Sequence, residues 1–264
     1  MSVNRASKSF YKNHGYVVMP KLISQSKIQN LRFVVFQTYL KFASVAPSFS
    51  SKEPWNTAEF DDCLINLRKN FPEKFSAMYD TVQTNNYLIK AVLNNKLLNA
   101  TANLLETERH SISTSGHYLR MDTPEDRRNA LQWHQDRAFY RQNIDGNNGL
   151  VITIALQDIR EENGALVVCP GSHESGFIEP VKTDKKHYTT SEQLVIPQTE
   201  VERYETQTIN LTVGDVLFIN MNLFHKSGYN KSKRIRFSAL ARFHNVATDD
   251  FVPFGVDYYY NKFQ

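Results

Sequence analysis

From about Ser111 to Phe243 the chain is cut into short β-type runs by turn residues, and this punctuation limits its fold more than any other feature. The runs are Ile152 to Leu156, Ala165 to Val168, Thr206 to Leu211, Val216 to Ile219 and Ile235 to Phe243. Between and around them stand Asp145-Gly146-Asn147-Asn148-Gly149, Glu162-Asn163-Gly164, Pro170-Gly171 and Gly214-Asp215, which are expected to supply the positive-φ positions of tight turns. A barrel or a double-sheet jelly roll suits strands of this length and spacing.

The first hundred or so residues read as mainly helical. A short hydrophobic entry, Tyr16 to Met19, closes at Pro20, and Ser24 or Ser26 can cap the helix that follows. Ile28, Leu31, Val35, Thr38 and Tyr39 recur at helical spacing, which describes a packing helix. Ser44 to Trp55 reads as a loop, and Pro72 opens further helix continuing through Asn85 to Leu105. These helices are expected to buttress a sheet. The polar stretch from Lys182 to Glu205 reads as a loop or lid near a pocket mouth.

One domain over residues 1–264 is expected: a helical buttress to about 110, a β core over about 111–245 and a tail over 246–264. A hydrophobic content of 41% with 17 Phe and 13 Tyr supplies a core that needs no disulfide. Cys63 and Cys169 lie far apart without a CxxC and read as reduced thiols. The polar N-terminus has no apolar segment of a secretory signal, and no apolar run approaches a spanning helix, so a cytoplasmic protein without a membrane span is expected. The net charge of +4 is mild and its lysines and arginines are interspersed with acids, which argues against a nucleic-acid partner. Nothing in the sequence specifies an oligomeric state.

The chemistry concentrates at His134-Gln135-Asp136, His225 and, eleven residues later, Arg236. In an extended strand residues i and i+2 share a face, so His134 and Asp136 project together while Gln135 points away. Two histidines and one carboxylate on one face of a metal, with the other positions open, are the arrangement of non-haem Fe(II) oxygenases.

Gly15-Tyr16-Val17-Val18, Trp133-His134-Gln135-Asp136, Glu162-Asn163-Gly164-Ala165-Leu166, Cys169-Pro170-Gly171-Ser172-His173, Gly214-Asp215 and His225-Lys226-Ser227-Gly228 occur in this order. With these motifs the chain resembles the phytanoyl-CoA dioxygenase family of Fe(II)- and 2-oxoglutarate-dependent oxygenases over about residues 8 to 245. The resemblance implies a double-stranded β-helix, the cupin-like jelly roll, buttressed by N-terminal helices. It implies that His134, Asp136 and His225 bind Fe(II) and that Arg236 pairs with the distal carboxylate of 2-oxoglutarate. Ser227 and Thr153 are implied as hydroxyl contacts to that co-substrate, with Thr153 standing where the founding enzyme has a tryptophan.

The residue types suit these roles, since imidazole and carboxylate stabilise Fe(II) and a guanidinium fork holds a carboxylate by two charge-assisted bonds. Arg234, Arg236 and Arg242 share one strand parity, so alternation alone does not choose among them, and the offset from His225 points to Arg236. His173 lies in a turn and reads as structural. Arg120 and Asp122 are either substrate contacts or a surface pair.

The implied reaction is hydroxylation, or another oxidation such as desaturation, with O2 consumed and succinate and CO2 released. Asp136 argues against halogenation, because related halogenases lack the carboxylate. Arg120, Gln132, Gln135 and Arg137 are candidate substrate contacts and favour a small polar or anionic metabolite. A fatty acyl-CoA is the alternative substrate. A jelly-roll binding protein without turnover, and a metal-dependent hydrolase or isomerase, are the alternative functions.

Overall fold

The computed structural model describes residues 3–43, 48–126, 130–143, 145–182 and 193–253. It opens with a helix, α1 (Arg5–His14), in a segment whose polar composition does not announce one. The caps explain it: the Asn4 side chain accepts from the Ser7 amide, and Gly15, at φ 76°, closes the last turn onto the Tyr11 carbonyl. The entry Tyr16–Met19 is strand β1. Helices α2 (Gln25–Phe42), α3 (Ala58–Asn70), α4 (Pro72–Gln83), α5 (Asn86–Val92) and α6 (Asn95–Leu104) follow. The expected continuation through Leu105 is thus two helices, broken where Asn94 caps the second by accepting from Lys96 and Leu97 amides.

The β region comprises β2 (Ile112–Asp122), β3 (Gly149–Ala155), β4 (Leu166–Val168), β5 (Val181–Lys182), β6 (Leu194–Val195), β7 (Gln207–Ile209), β8 (Val216–Asn220), β9 (His225–Lys226) and β10 (Arg236–Asn245). The larger sheet runs β1-β8-β3-β10-β2, the smaller β7-β4-β9, and all their pairings are antiparallel. With N-terminal helices against the larger sheet, this is the expected double-stranded β-helix.

The period-2 pattern of β10 assigns its two faces. Phe237, Ala239, Ala241 and Phe243 join the helix-side core with Leu31, Leu64, Met78 and Leu88, whereas Arg236, Ser238, Leu240 and Arg242 line a cavity on the other face. Strand β8 divides likewise, sending Val216 and Phe218 to the helices and Leu217 and Ile219 to a second core that includes Ile159, Val168, Ile209 and Leu211. Both of its faces are buried, which is why it reads as an unbroken apolar run. Cys63 and Cys169 are free. No helix among the described residues is long and apolar enough to cross a membrane.

Two turn expectations need correction. Gly164, Gly171 and Gly214 have positive φ, but Gly146 and Gly149 do not. The segment at 146–148 is a 3-10 turn capped by Asp145, and Gly146 is instead required by closeness, since a Cβ there would lie 2.2 Å from Asn222 Oδ1. Of the stretch from Lys182 to Glu205, residues 183–192 lie outside the described residues, as do 254–264 of the tail. The described remainder begins with a two-residue pairing of β5 with β6 and then packs inward: the Ile196 amide donates to the Trp133 carbonyl, and Ile196 and Val201 join Cys169 and Phe224.

Candidate metal and co-substrate site

His134 and His225 face each other across an isolated antiparallel bridge, with amide-to-carbonyl distances of 2.9 and 3.1 Å. His134 does not belong to a regular strand, contrary to expectation, because the chain turns immediately: Asp136–Ala138 is a 3-10 turn in which Phe139 and Tyr140 amides donate to the Asp136 carbonyl. Gln135 is extended at φ −111° and ψ 133°, so His134 and Asp136 still come to one side.

Each imidazole is oriented by its own backbone. His134 Nδ1 lies 2.7 Å from the Gln132 carbonyl and His225 Nδ1 lies 2.9 Å from the Leu223 carbonyl, contacts that need a proton on Nδ1 and leave Nε2 as the ligating lone pair. Asp136 Oδ2 is 3.3 Å from His225 Nε2, and ligand atoms of the three buried residues all lie within 4.8 Å of one another. Burial, reinforced by the neighbouring His225, lowers the His134 pKa to about 3, so it stays neutral as a ligand must. Burial alone would raise the Asp136 carboxyl, but the Arg242 guanidinium leads the opposing influences, and the group is held well below the usual carboxylate range. Neutral imidazole nitrogens and an ionised carboxylate fit a divalent transition metal, iron(II) included.

The cavity over this cluster is shared by Arg236, Ser227, Thr153 and Arg120, with Ser238 and Arg242 beside them and leucine, isoleucine and valine walls. Arg236 is buried, its Nε and Nη2 donating to Asp122 Oδ2 at 3.2 and 2.7 Å. Asp122 Oδ1 accepts from Arg120 at 3.3 and 2.8 Å, so the half-buried Arg120 forms one cluster with the buried Asp122 and Arg236 and not a surface pair. A Cβ at Gly164 would lie 2.7 Å from Arg236 Nη1, which together with its φ of +93° explains the glycine in that turn.

Three of the four candidate substrate contacts, Gln135, Arg137 and Gln132, lie elsewhere. The Gln135 amide is buried, donating to Gly176 and Asn222 carbonyls and accepting from the Ile178 amide. Arg137 is half-buried, with its guanidinium 5.2 Å above the Phe177 ring. Neither lines the cavity. Gln132 is exposed, and His173 sits outside the cavity with Nε2 3.0 Å from the Lys12 carbonyl. Arg234 pairs with Asp61 in a hydrogen bond from Nε to Oδ2, on the helix side.

The residue that sequence reasoning did not place is Arg242. Its Nε and Nη2 both donate to Asp136 Oδ1 at 3.2 Å, and its guanidinium lies 3.9 Å above the Tyr140 ring. Its shared parity with Arg236 was the available signal.

Fold and site together define the class, a double-stranded β-helix with a buried cluster of two histidines and one carboxylate facing a cavity lined by arginine and hydroxyl groups. The chain belongs to the phytanoyl-CoA dioxygenase (PhyH) family, which it matches over residues 11–238. It is 26% identical over 131 residues to L-proline trans-4-hydroxylase from Streptomyces griseoviridis, a match covering 44% of this chain and 49% of that protein. The chain thus spans about half the length of that relative. Among solved structures it is similar to the epimerase SnoN in complex with Fe3+, alpha ketoglutarate and nogalamycin RO, with TM-score 0.64 and 15% identity over 96% of this chain and 88% of that one. EvdO2 from Micromonospora carbonacea var. aurantiaca, complexed with 2-oxoglutarate, is similar at TM-score 0.60 and 16% identity over 96% of each chain.

Proposed function

We propose that this protein is an Fe(II)- and 2-oxoglutarate-dependent dioxygenase that hydroxylates a small polar metabolite. The observation that carries this reading is the convergence of His134, Asp136 and His225 at the wall of a cavity that also holds Arg236, Ser227 and Thr153. Held by the three side chains, iron(II) with 2-oxoglutarate and O2 would supply an oxidative decarboxylation that releases succinate and CO2 and inserts one oxygen atom into a substrate C–H bond.

The chain's own residues do the positioning. His134 and His225 present Nε2 because backbone carbonyls take Nδ1, and Asp136 brings its carboxylate beside them. As a metal's only protein ligands, these three side chains would leave it open to co-substrate and oxygen. Arg236 would receive the distal carboxylate of 2-oxoglutarate on the guanidinium N–H groups that Asp122 leaves free. Ser227 and Thr153 offer hydroxyls along the way, and the apolar walls exclude water from the reacting atoms.

A polar substrate is favoured by the half-buried arginines Arg120 and Arg242 at the cavity and by the amino acid in the relative's name. The test is anaerobic addition of Fe(II) and 2-oxoglutarate, expected to give a weak charge-transfer absorbance in the wild type that Asp136→Ala and Arg236→Ala reduce. Normal co-substrate binding by both variants would overturn the assignment. Oxygen-dependent succinate release across a metabolite panel, with product mass, then identifies the substrate class.

A further inference from the structure

The carboxylate of Asp136 has two chemically equal oxygens, and nothing in its own bonding decides which meets a metal. The surroundings do decide. Oδ2 stands 3.3 Å from His225 Nε2, on the side of the ligand cluster, while Oδ1 accepts both Nε and Nη2 of Arg242. A carboxylate left free can rotate or bind a cation through both oxygens. With a guanidinium across Oδ1, only Oδ2 remains to be offered.

Arg242 is itself held firmly. Its guanidinium lies 3.9 Å above the Tyr140 ring and 5.7 Å from the Tyr118 ring centre, and its side chain is 12% exposed. On β10 it pairs with Val151 on one side and Gly116 on the other, and the register with β2 shifts just after it, between Arg242 and Phe243. The residue skipped there is Ser115 of β2, so the alternation of β10 runs unbroken through Arg242. Tyr140 belongs to the turn that Asp136 starts, its amide donating to the Asp136 carbonyl, so ring, carboxylate and guanidinium form one closed unit.

The geometry points to Arg242 as a positioning residue that presents one oxygen of Asp136 to the metal. The inference rests on the proposed reading of Asp136 as a ligand. It also makes a prediction of sign. Removing a cation beside a site for a dication should, by Coulomb's law alone, tighten metal binding. Removing a group that orients a ligand should loosen it.

The experiment is calorimetric titration of the full-length apoprotein with Co(II), an air-stable stand-in for Fe(II), without 2-oxoglutarate. Arg242→Met is expected to weaken Co(II) binding by about 10- to 100-fold, the range typical of groups that orient a metal ligand. Arg242→Lys keeps the charge without the planar fork and is expected to fall between wild type and Arg242→Met, and it carries the test alone if the methionine variant does not fold. Unchanged or tighter Co(II) binding by the folded variants would overturn the inference. If the wild type itself does not bind Co(II), or binds it equally well as Asp136→Ala, the proposed function fails first. If Asp136→Ala abolishes binding while the Arg242 variants do not alter it, only the role of Arg242 fails.

Discussion

His134 and His225 are joined twice: their backbones exchange hydrogen bonds of 2.9 and 3.1 Å, and their rings lie with centroids 4.2 Å apart. The first connection is independent of the side chains, so removing one imidazole leaves the bridge that aligns the other. His225→Ala is therefore expected to fold, with an apo Tm lowered because the buried Leu223 carbonyl loses its donor, while losing its response to metal. Wild-type protein at metal concentrations a hundredfold above Kd should gain about 2.7 kcal/mol of stability by mass action. Anaerobic thermal melts with and without Fe(II) measure both effects, and a metal-induced rise in the variant would show that His225 is not a ligand.

Asp122 stands between two arginines, one oxygen for each, and all three side chains are largely buried. Burial raises its carboxyl pKa, but Arg120 and Arg236 outweigh that and hold it below the ordinary range, so it stays ionised. Taking away the shared anion leaves two cations facing each other in a cavity wall. Asp122→Ala is expected to cost about 3–5 kcal/mol of stability, the usual size when one partner of a buried ion pair is removed. Arg236→Lys keeps a charge there but loses the fork, and the 2-oxoglutarate concentration for half-saturation should rise about tenfold or more. Denaturant melts check the first outcome and anaerobic titration of the charge-transfer band the second.

Acid sensitivity follows from the buried histidines. Burial, with Arg242 next in importance, lowers His244 to about 4, and His134 is lowered to about 3. Both pKa values fall below the unfolded value of 6.5, so the unfolded chain binds more protons as pH drops. Their stability contribution is complete above pH 6.5 and is lost progressively from there towards the folded values. The apoprotein should melt lower at pH 5 than at pH 7.5, with His244 alone accounting for about 1–2 kcal/mol. Replacing it by glutamine should flatten that slope, and an identical slope in His244→Gln would remove this cause.

Local pattern carried much of this in the sequence. The parity of β10 separates Phe237, Ala239, Ala241 and Phe243 from Arg236, Ser238, Leu240 and Arg242 without any coordinates, and the i, i+2 relation pairs His134 with Asp136. What parity does not encode is distance along the strand and the partner on the next element. Arg234, Arg236 and Arg242 look equivalent by alternation, yet they meet Asp61, Asp122 and Asp136 respectively. The union of Arg120 with Arg236 needs the pairing of β2 with β10, in which Arg236 stands opposite Asp122 and Ser238 opposite Arg120. The helix α1 was legible in its caps, Asn4 and Gly15, but not in its composition.

Gln135 shows how a polar residue between two ligands can serve the scaffold. Its side chain amide donates at 2.7 Å to each of the Gly176 and Asn222 carbonyls, and its carbonyl accepts from Ile178 at 2.9 Å, tying the turn at Asp136 to two other segments. All three contacts are to backbone groups, so no side-chain rearrangement can replace them. Gln135→Ala strands two carbonyls and one amide where the glutamine was 2% exposed. Each buried group left unpaired costs about 1–3 kcal/mol, and partial access of water should keep the total near the lower end, about 3 kcal/mol. Because the lost bonds reach the chain on both sides of the metal ligands, metal affinity should fall with stability in Gln135→Ala, and Gln135→Glu should not restore it, since its carboxylate would face the Gly176 and Asn222 carbonyls acceptor to acceptor. Chemical denaturation alongside Co(II) titration tests this, and a variant with wild-type stability would show that these three bonds do not hold the turn.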